Sequence, residues 1–234
     1  MTALQDDTVS RARTLADQVH AALVEAIVTG ELAAGARITE VDLARRYNVS
    51  RGPLREAIQR LEQQRLVTRT AHVGARVTEL STEVLIEIFL AREALEGMAA
   101  RLAAERMSDL ELAELANMLD AHHEQMEDTP IYYQRGSDWD FHYRIAKGAR
   151  NGMIEAFLCG DLYHLIRLYR YQHKLSPGRG HRALVEHRRI VDALQDRDGD
   201  LAEILMRRHI ATARAVLGAN IANSRQPPGL AAVG

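Results

Sequence analysis

The sequence predicts a mainly α protein in two parts: an N-terminal winged helix-turn-helix and a C-terminal all-α antiparallel helical bundle. Three observations carry this expectation. Residues 39–77, TEVDLARRYNVSRGPLREAIQRLEQQRLVTRTAHVGARV, read as two short helices about a tight turn, followed by a two-stranded wing. Beyond Leu80 the pattern changes to long segments of helical periodicity with no convincing strand. Aromatic residues make up only 5% of the chain while Ala and Leu abound, which favours helices over sheets.

Taken in order, residues 1 to 10 and about 224 to 234 read as frayed tails. Arg13 to Gly30 is an amphipathic helix, with Leu15, Val19, Leu23 and Ile27 recurring every fourth residue; Gly30 ends it and Gly35 marks a turn. Thr39 can cap a helix whose apolar positions are Val41, Leu43, Ala44 and Tyr47. Asn48 suits a left-handed exit, Val49 plugs the turn and Ser50 can cap the next helix, where Leu54, Ile58 and Leu61 point inward at i, i+4 and i+7. The stretches 67–69 and 75–77 form the wing strands, with Gly74 near the tip.

In the second part Ser81 caps a helix to about Met107, and Ser108 with Glu111 forms a capping box that opens a helix to about Glu127. A third helix runs from about Pro130 or Gly136 to Lys147. Asn151 caps a fourth that reaches about Lys174, and SPGRG is a loop. A fifth covers about His181 to Asp196, and Asp198 or Asp200 opens a sixth that ends near Asn220. Short connections imply an antiparallel bundle. The boundary falls near 78 to 82, giving units of residues 11–78 and 82–222.

The helix that follows Ser50 carries Arg51 and Arg55 at its N-terminal end, and such a tip enters the major groove, where Arg grips guanine O6 and N7. Solvated charged helices are common, so the local balance matters. Residues 37–76 hold nine arginines against four acids, in a chain whose net charge is −2. A basic patch on a near-neutral chain is the electrostatic footprint of phosphate contact. On this reading Arg51 and Arg55 read bases from the Ser50 cap. Arg45, Arg46, Arg69 and Arg76 hold phosphates, and Gly74 lets the wing approach the minor groove.

The whole chain sets broader bounds. No apolar run nears the ~20 residues that span a bilayer, and MTALQDDTVSR lacks a signal-peptide core, so no membrane partner is expected. The single cysteine, Cys159, has no internal disulfide partner, sits among apolar helix positions and reads as an inert packed thiol in a reducing cytoplasm.

A second constellation lies in the bundle. Asp138 and His142 in DWDFH are four apart and would project from one helical face. His187 lies on the stripe of Ile190, Val191 and Leu194, and His209 on that of Leu205, Ala213 and Val216. Each alone could be a core histidine satisfied by one neighbour. Three imidazoles and a carboxylate converging from three helices need mutual satisfaction, which a divalent metal supplies. The donor set suits zinc first, with nickel or manganese as alternatives, and leaves positions for water or a ligand carboxylate.

These residues together resemble the FadR-type branch of the GntR family of bacterial transcription regulators. The N-terminal signature is E40-x-x-L43-A44, V49-S50-R51-x-P53-L54-R55-E56-A57, L61, L66-V67 and G74-x-x-V77. The C-terminal pattern, R92-x-x-L95-E96, D138-x-x-F141-H142, N151, H187 and H209, resembles the FCD ligand-binding domain. The six-helix count looks like the VanR-type subgroup, and FHYRI, LCGDLY and LMRRHI look like regulators of propionate (2-methylcitrate cycle) loci. Two positions depart from the pattern: Arg65 stands where the family usually has Gly, and Val41 where some members place a base-contacting Arg.

The resemblance implies a homodimeric regulator, a repressor rather than an enzyme, that binds a double-stranded operator. A small carboxylate effector would be held with the help of the Asp/His₃ metal. Arg92 would bind the effector carboxylate or form a salt bridge to Glu96, and Arg167 is the second candidate for the effector. Two other readings compete: a metal-free regulator that responds to an acyl-CoA, and a helical metallohydrolase, which lacks an evident general base.

Overall fold

The computed structural model describes residues 14–128, 140–172 and 179–225. The chain divides into two compact units, residues 1–78 and 79–234.

In the first unit α1 (Leu15–Val28) is opened by a capping box: Thr14 Oγ1 accepts from the Asp17 amide while Asp17 accepts from the Thr14 amide. Its buried face, Val19, Leu23 and Ile27, packs against α3, whereas Leu15 is exposed and does not join the stripe. β1 (Arg37–Ile38) precedes α2 (Glu40–Arg46) and α3 (Arg51–Gln63). Thr39 and Ser50 do occupy the cap positions, but neither side chain makes a capping bond. Leu54, Ile58 and Leu61 are buried as their spacing requires. Leu43 is the buried anchor of α2, while Val41 is about half exposed.

Asn48 takes the left-handed exit with φ 50°. Arg65 does the same after α3 with φ 58°, and the Leu66 amide reaches back to the Leu61 carbonyl at 2.9 Å. The exit that glycine normally supplies is therefore kept, at the strain of a left-handed arginine. The wing is β2 (Val67–Thr70) and β3 (Gly74–Val77), antiparallel with Thr68 opposite Arg76. Gly74 has φ 95°, a conformation that side chains resist. The strand β1 was not foreseen: Arg37 pairs with Arg76 and Ile38 with Ala75, making β3 the centre of a three-stranded sheet. Two residues are too few to show a period.

The second unit is built on α4 (Thr82–Arg106), capped by Ser81, whose Oγ accepts from the Val84 amide. It packs against α6 (Phe141–Gly148), α9 (Arg179–Gln195) and α10 (Gly199–Arg225). Arg101 meets Glu203 while Glu93 meets Arg214, so α4 and α10 run antiparallel. Ala99, Ala100, Ala103 and Ala104 of α4 and Met206 and Ile210 of α10 are all buried in the core. α5 (Asp109–Asp128) opens with the capping box of Ser108 and Glu111 and lies against α9 and α6.

Two expected helices differ in extent. The third opens only at Phe141, where Asp140, in extended conformation, accepts from the His142 and Tyr143 amides. The segment back to Pro130 lies outside the described residues, and so does Asp138. The fourth helix is not continuous. α7 (Gly152–Glu155), capped by Asn151, passes into a π-helical stretch, Ala156–Asp161, before α8 (Tyr163–Gln172). Lys174 lies outside the described residues.

Candidate nucleic-acid interface and metal centre

The helix-turn-helix exposes Arg45, Arg46, Arg51 and Arg55, and the wing exposes Arg69 and Arg76. Each has a distinct setting. Arg46 pairs with Glu31, and Arg69 gives both Nε and Nη2 to Glu62 Oε1, at 2.8 and 2.7 Å. Arg76 donates to the Gly35 carbonyl at 2.8 Å, across the sheet. Arg55 donates through Nε alone to Glu40 Oε2 at 2.8 Å. Among the described residues Arg45 and Arg51 form no ion pair. Arg51 opens α3, with Ser50 immediately before it as the cap. The surface thus presents cations whose partners are mostly local carboxylates, each pair partly exposed and so weakly held in water.

The second unit gathers three imidazoles from three helices. His142 comes from the first turn of α6, His187 from α9 and His209 from α10, with exposures of 9, 1 and 5%. One nitrogen from each lies within 4.8 Å of the others. Their orientation is set from outside the cluster. His142 Nδ1 lies 2.6 Å from Glu96 Oε2, and His209 Nδ1 lies 2.6 Å from Glu186 Oε2. An imidazole Nδ1–H that donates to a carboxylate leaves Nε2 as the ring's lone-pair nitrogen, the one that can bind a metal. His209 Nε2 is 3.2 Å from His187 Nε2, and the His187 ring stacks on Phe141 with centroids 4.0 Å apart.

Arg92 forms the salt bridge to Glu96, with its Nε 2.6 Å from Oε1, and both groups are about 97% buried. Glu96 therefore links Arg92 to His142. A small cavity bounded by Glu96, Asp140, His142, Tyr143, Leu158, Tyr163 and Ile166 adjoins the cluster. Arg167, buried on α8, lies with its guanidinium 5.9 Å from the Tyr163 ring centre. Cys159 is half-buried, with Sγ 3.8 Å from the Tyr143 carbonyl, and burial pushes its thiol up to about 12. It is an inert packed thiol, as its apolar neighbours imply.

These neighbours fit a metal. Three converging imidazole nitrogens, with carboxylates at Nδ1 of two of the rings, form the donor set and outer shell usual for a histidine-bound divalent ion. Sequence reasoning did not foresee Glu186 or the stacking of Phe141 on His187. Glu186 precedes His187 but serves His209 on another helix, and no spacing rule marks a contact between helices.

A winged helix with an arginine-bearing tip, followed by a separate helical unit, defines a DNA-binding transcription regulator. Residues 15–77 match the gntR family of bacterial regulatory proteins and residues 87–212 match the FCD domain. The chain belongs to the GntR family and carries an FCD domain. It is 31% identical to the probable D-xylose utilization operon transcriptional repressor of Paenarthrobacter nicotinovorans, over 85% of this chain and 86% of that one. It is also 31% identical to the HTH-type transcriptional repressor GlaR of Escherichia coli K12, over 73% and 80%. A putative GntR regulator from Rhodococcus sp. RHA1 shares the fold, with a TM-score of 0.69 at 23% identity over 87% of this chain and 97% of that one. The family regulates transcription and is not enzymatic. No described helix is long and apolar enough to cross a membrane.

Proposed function

We propose that this regulator is a homodimeric repressor whose grip on its operator is set by a small carboxylate effector bound at a divalent metal in residues 82–222. The observation that carries the reading is the convergence of three imidazole nitrogens, with Glu96 and Glu186 behind two of the rings. His142, His187 and His209 would hold the ion, zinc first and nickel or manganese next, with Asp138 as fourth ligand. The metal would supply positive charge for the effector carboxylate in a buried setting. Arg92 serves by holding Glu96 in place, and Arg167, buried on α8, is the candidate to meet the effector carboxylate. Three buried imidazoles oppose the alternative of a metal-free acyl-CoA sensor. The FHYRI and LMRRHI motifs make propionate and 2-methylcitrate the first acids to test.

In the DNA-reading unit, residues 11–78, Arg51 and Arg55 read bases from the Ser50 cap. Arg45, Arg46, Arg69 and Arg76 steady the phosphates, and Gly74 lets the wing come close. The fit of the whole is to a cytoplasmic protein. The test uses a duplex selected by the full-length protein from random DNA. Fluorescence anisotropy would follow its binding across a panel of carboxylic acids, before and after EDTA treatment. An acid should weaken binding by the metal-loaded protein and lose that effect once the metal is removed. A response that persists in protein shown to be metal-free would overturn the reading.

A further inference from the structure

We propose that Glu40 is a positioning residue for base recognition: it holds the Arg55 guanidinium by its Nε edge, so that the two Nη groups are presented together to one base. This rests on the reading of α3 as the base-reading helix and says how one reader is aimed.

Two observations support it. Glu40 is the first residue of α2 and Arg55 stands in the second turn of α3, so their 2.8 Å hydrogen bond spans the two helices of the motif. Only Nε of Arg55 is engaged, and among the described residues its Nη groups have no partner. A guanidinium gripped along its Nε edge can still offer two parallel N–H groups end-on, the geometry that matches guanine O6 and N7.

The carboxylate also has an opposing effect. A negative charge on the DNA-facing side repels phosphate, so Glu40 weakens contact with any duplex while sharpening contact with the right one. A merely structural pair would not divide these two quantities, and an acid that only masks Arg55 would lower both together. The division is what an experiment can read.

Full-length wild type, Glu40→Gln, Glu40→Ala and Arg55→Ala would each select from a library of random duplexes. Each would then be titrated against the wild-type winner and against a scrambled duplex. Glu40→Ala should bind the scrambled duplex more tightly, roughly two- to fivefold, as loss of one exposed charge allows. It should lose roughly fivefold or more of its discrimination at the base position that Arg55→Ala flattens, as a bidentate contact implies. Glu40→Gln keeps an acceptor oxygen without the charge, so it should recover most of the discrimination and keep the gain on scrambled DNA. If Glu40→Ala tightens both duplexes equally, the acid is a mask and the proposal is wrong. If it weakens both equally while the fold is intact by circular dichroism, its role is structural and the proposal is again wrong. If Arg55→Ala leaves the selected sequence unchanged, the assignment of the base-reading helix itself fails.

Discussion

Removing the metal from the bundle should lower its melting temperature by an amount that the cluster allows one to state. The ion would join α6, α9 and α10, which otherwise meet around α4 through apolar packing. A ligand that binds only the folded state at a hundred times its dissociation constant contributes about 2.7 kcal/mol. For a unit of roughly 150 residues each kcal/mol moves the midpoint by ~2–4 °C, so EDTA should lower it by about 5–10 °C. Differential scanning calorimetry of the full chain is the assay, with restoration by added zinc and no change in the winged-helix transition. His209→Ala removes a ligand and leaves Glu186 facing a void, so its midpoint falls for two reasons. The diagnostic is that EDTA should have no further effect on it. Asp138→Asn should keep a weaker site made by the three imidazoles. Protein purified without chelators that contains no metal, takes up none and melts identically with EDTA would refute the reasoning, and the histidines would then be packing residues.

Three further outcomes follow from particular residues. Arg65→Gly should stabilise the winged helix by about 0.5–1 kcal/mol, the left-handed penalty less the flexibility of glycine; an unchanged urea midpoint would show that the exit is relaxed. Burial holds the His20 imidazole below its ordinary value, beside Gln64 at 2.8 Å. The folded state then resists protonation, so the stability it contributes is present above about pH 6.5 and is lost as pH falls below it. His20→Gln should flatten that dependence in denaturant titrations between pH 7.5 and 5.5. Cys159, with its thiol pushed up to about 12, should resist iodoacetamide at pH 8.5 in the native protein and react promptly in urea; equal rates would contradict its burial.

How much was legible in the sequence depended on the range of the force involved. Local chemistry read well: the capping box of Ser108 and Glu111, the Asn151 cap, the left-handed Asn48 and the inward Leu54, Ile58 and Leu61 all follow from contacts within four residues. The three imidazoles were visible because each lies on an apolar stripe, and stripes point to a core. What stayed hidden was relational. Nothing near Glu186 marks it as the partner of His209, 23 residues away. The pairing of Arg37 with Arg76 needs the wing to exist before β1 has anything to join. The start of α6 was misplaced because periodicity carries no sign of where a cap such as Asp140 will cut it.

The length of α4 has a mechanical meaning. It begins five residues after the last strand of the wing and runs unbroken past Glu96, the residue that holds His142. The stretch between, TEVLIEIFLAREALE, contains neither glycine nor proline, so it has no built-in hinge. At 1.5 Å per residue Glu96 lies about 20 Å along this rod from Thr82. A stiff rod conveys a push along its axis without spreading it among intervening contacts. A sub-ångström shift of Glu96, as an occupant settles at the cluster, would reach the linker as a displacement of the same size. On the proposed reading, a signal from the cluster would need no relay of side chains, only a shaft that does not bend.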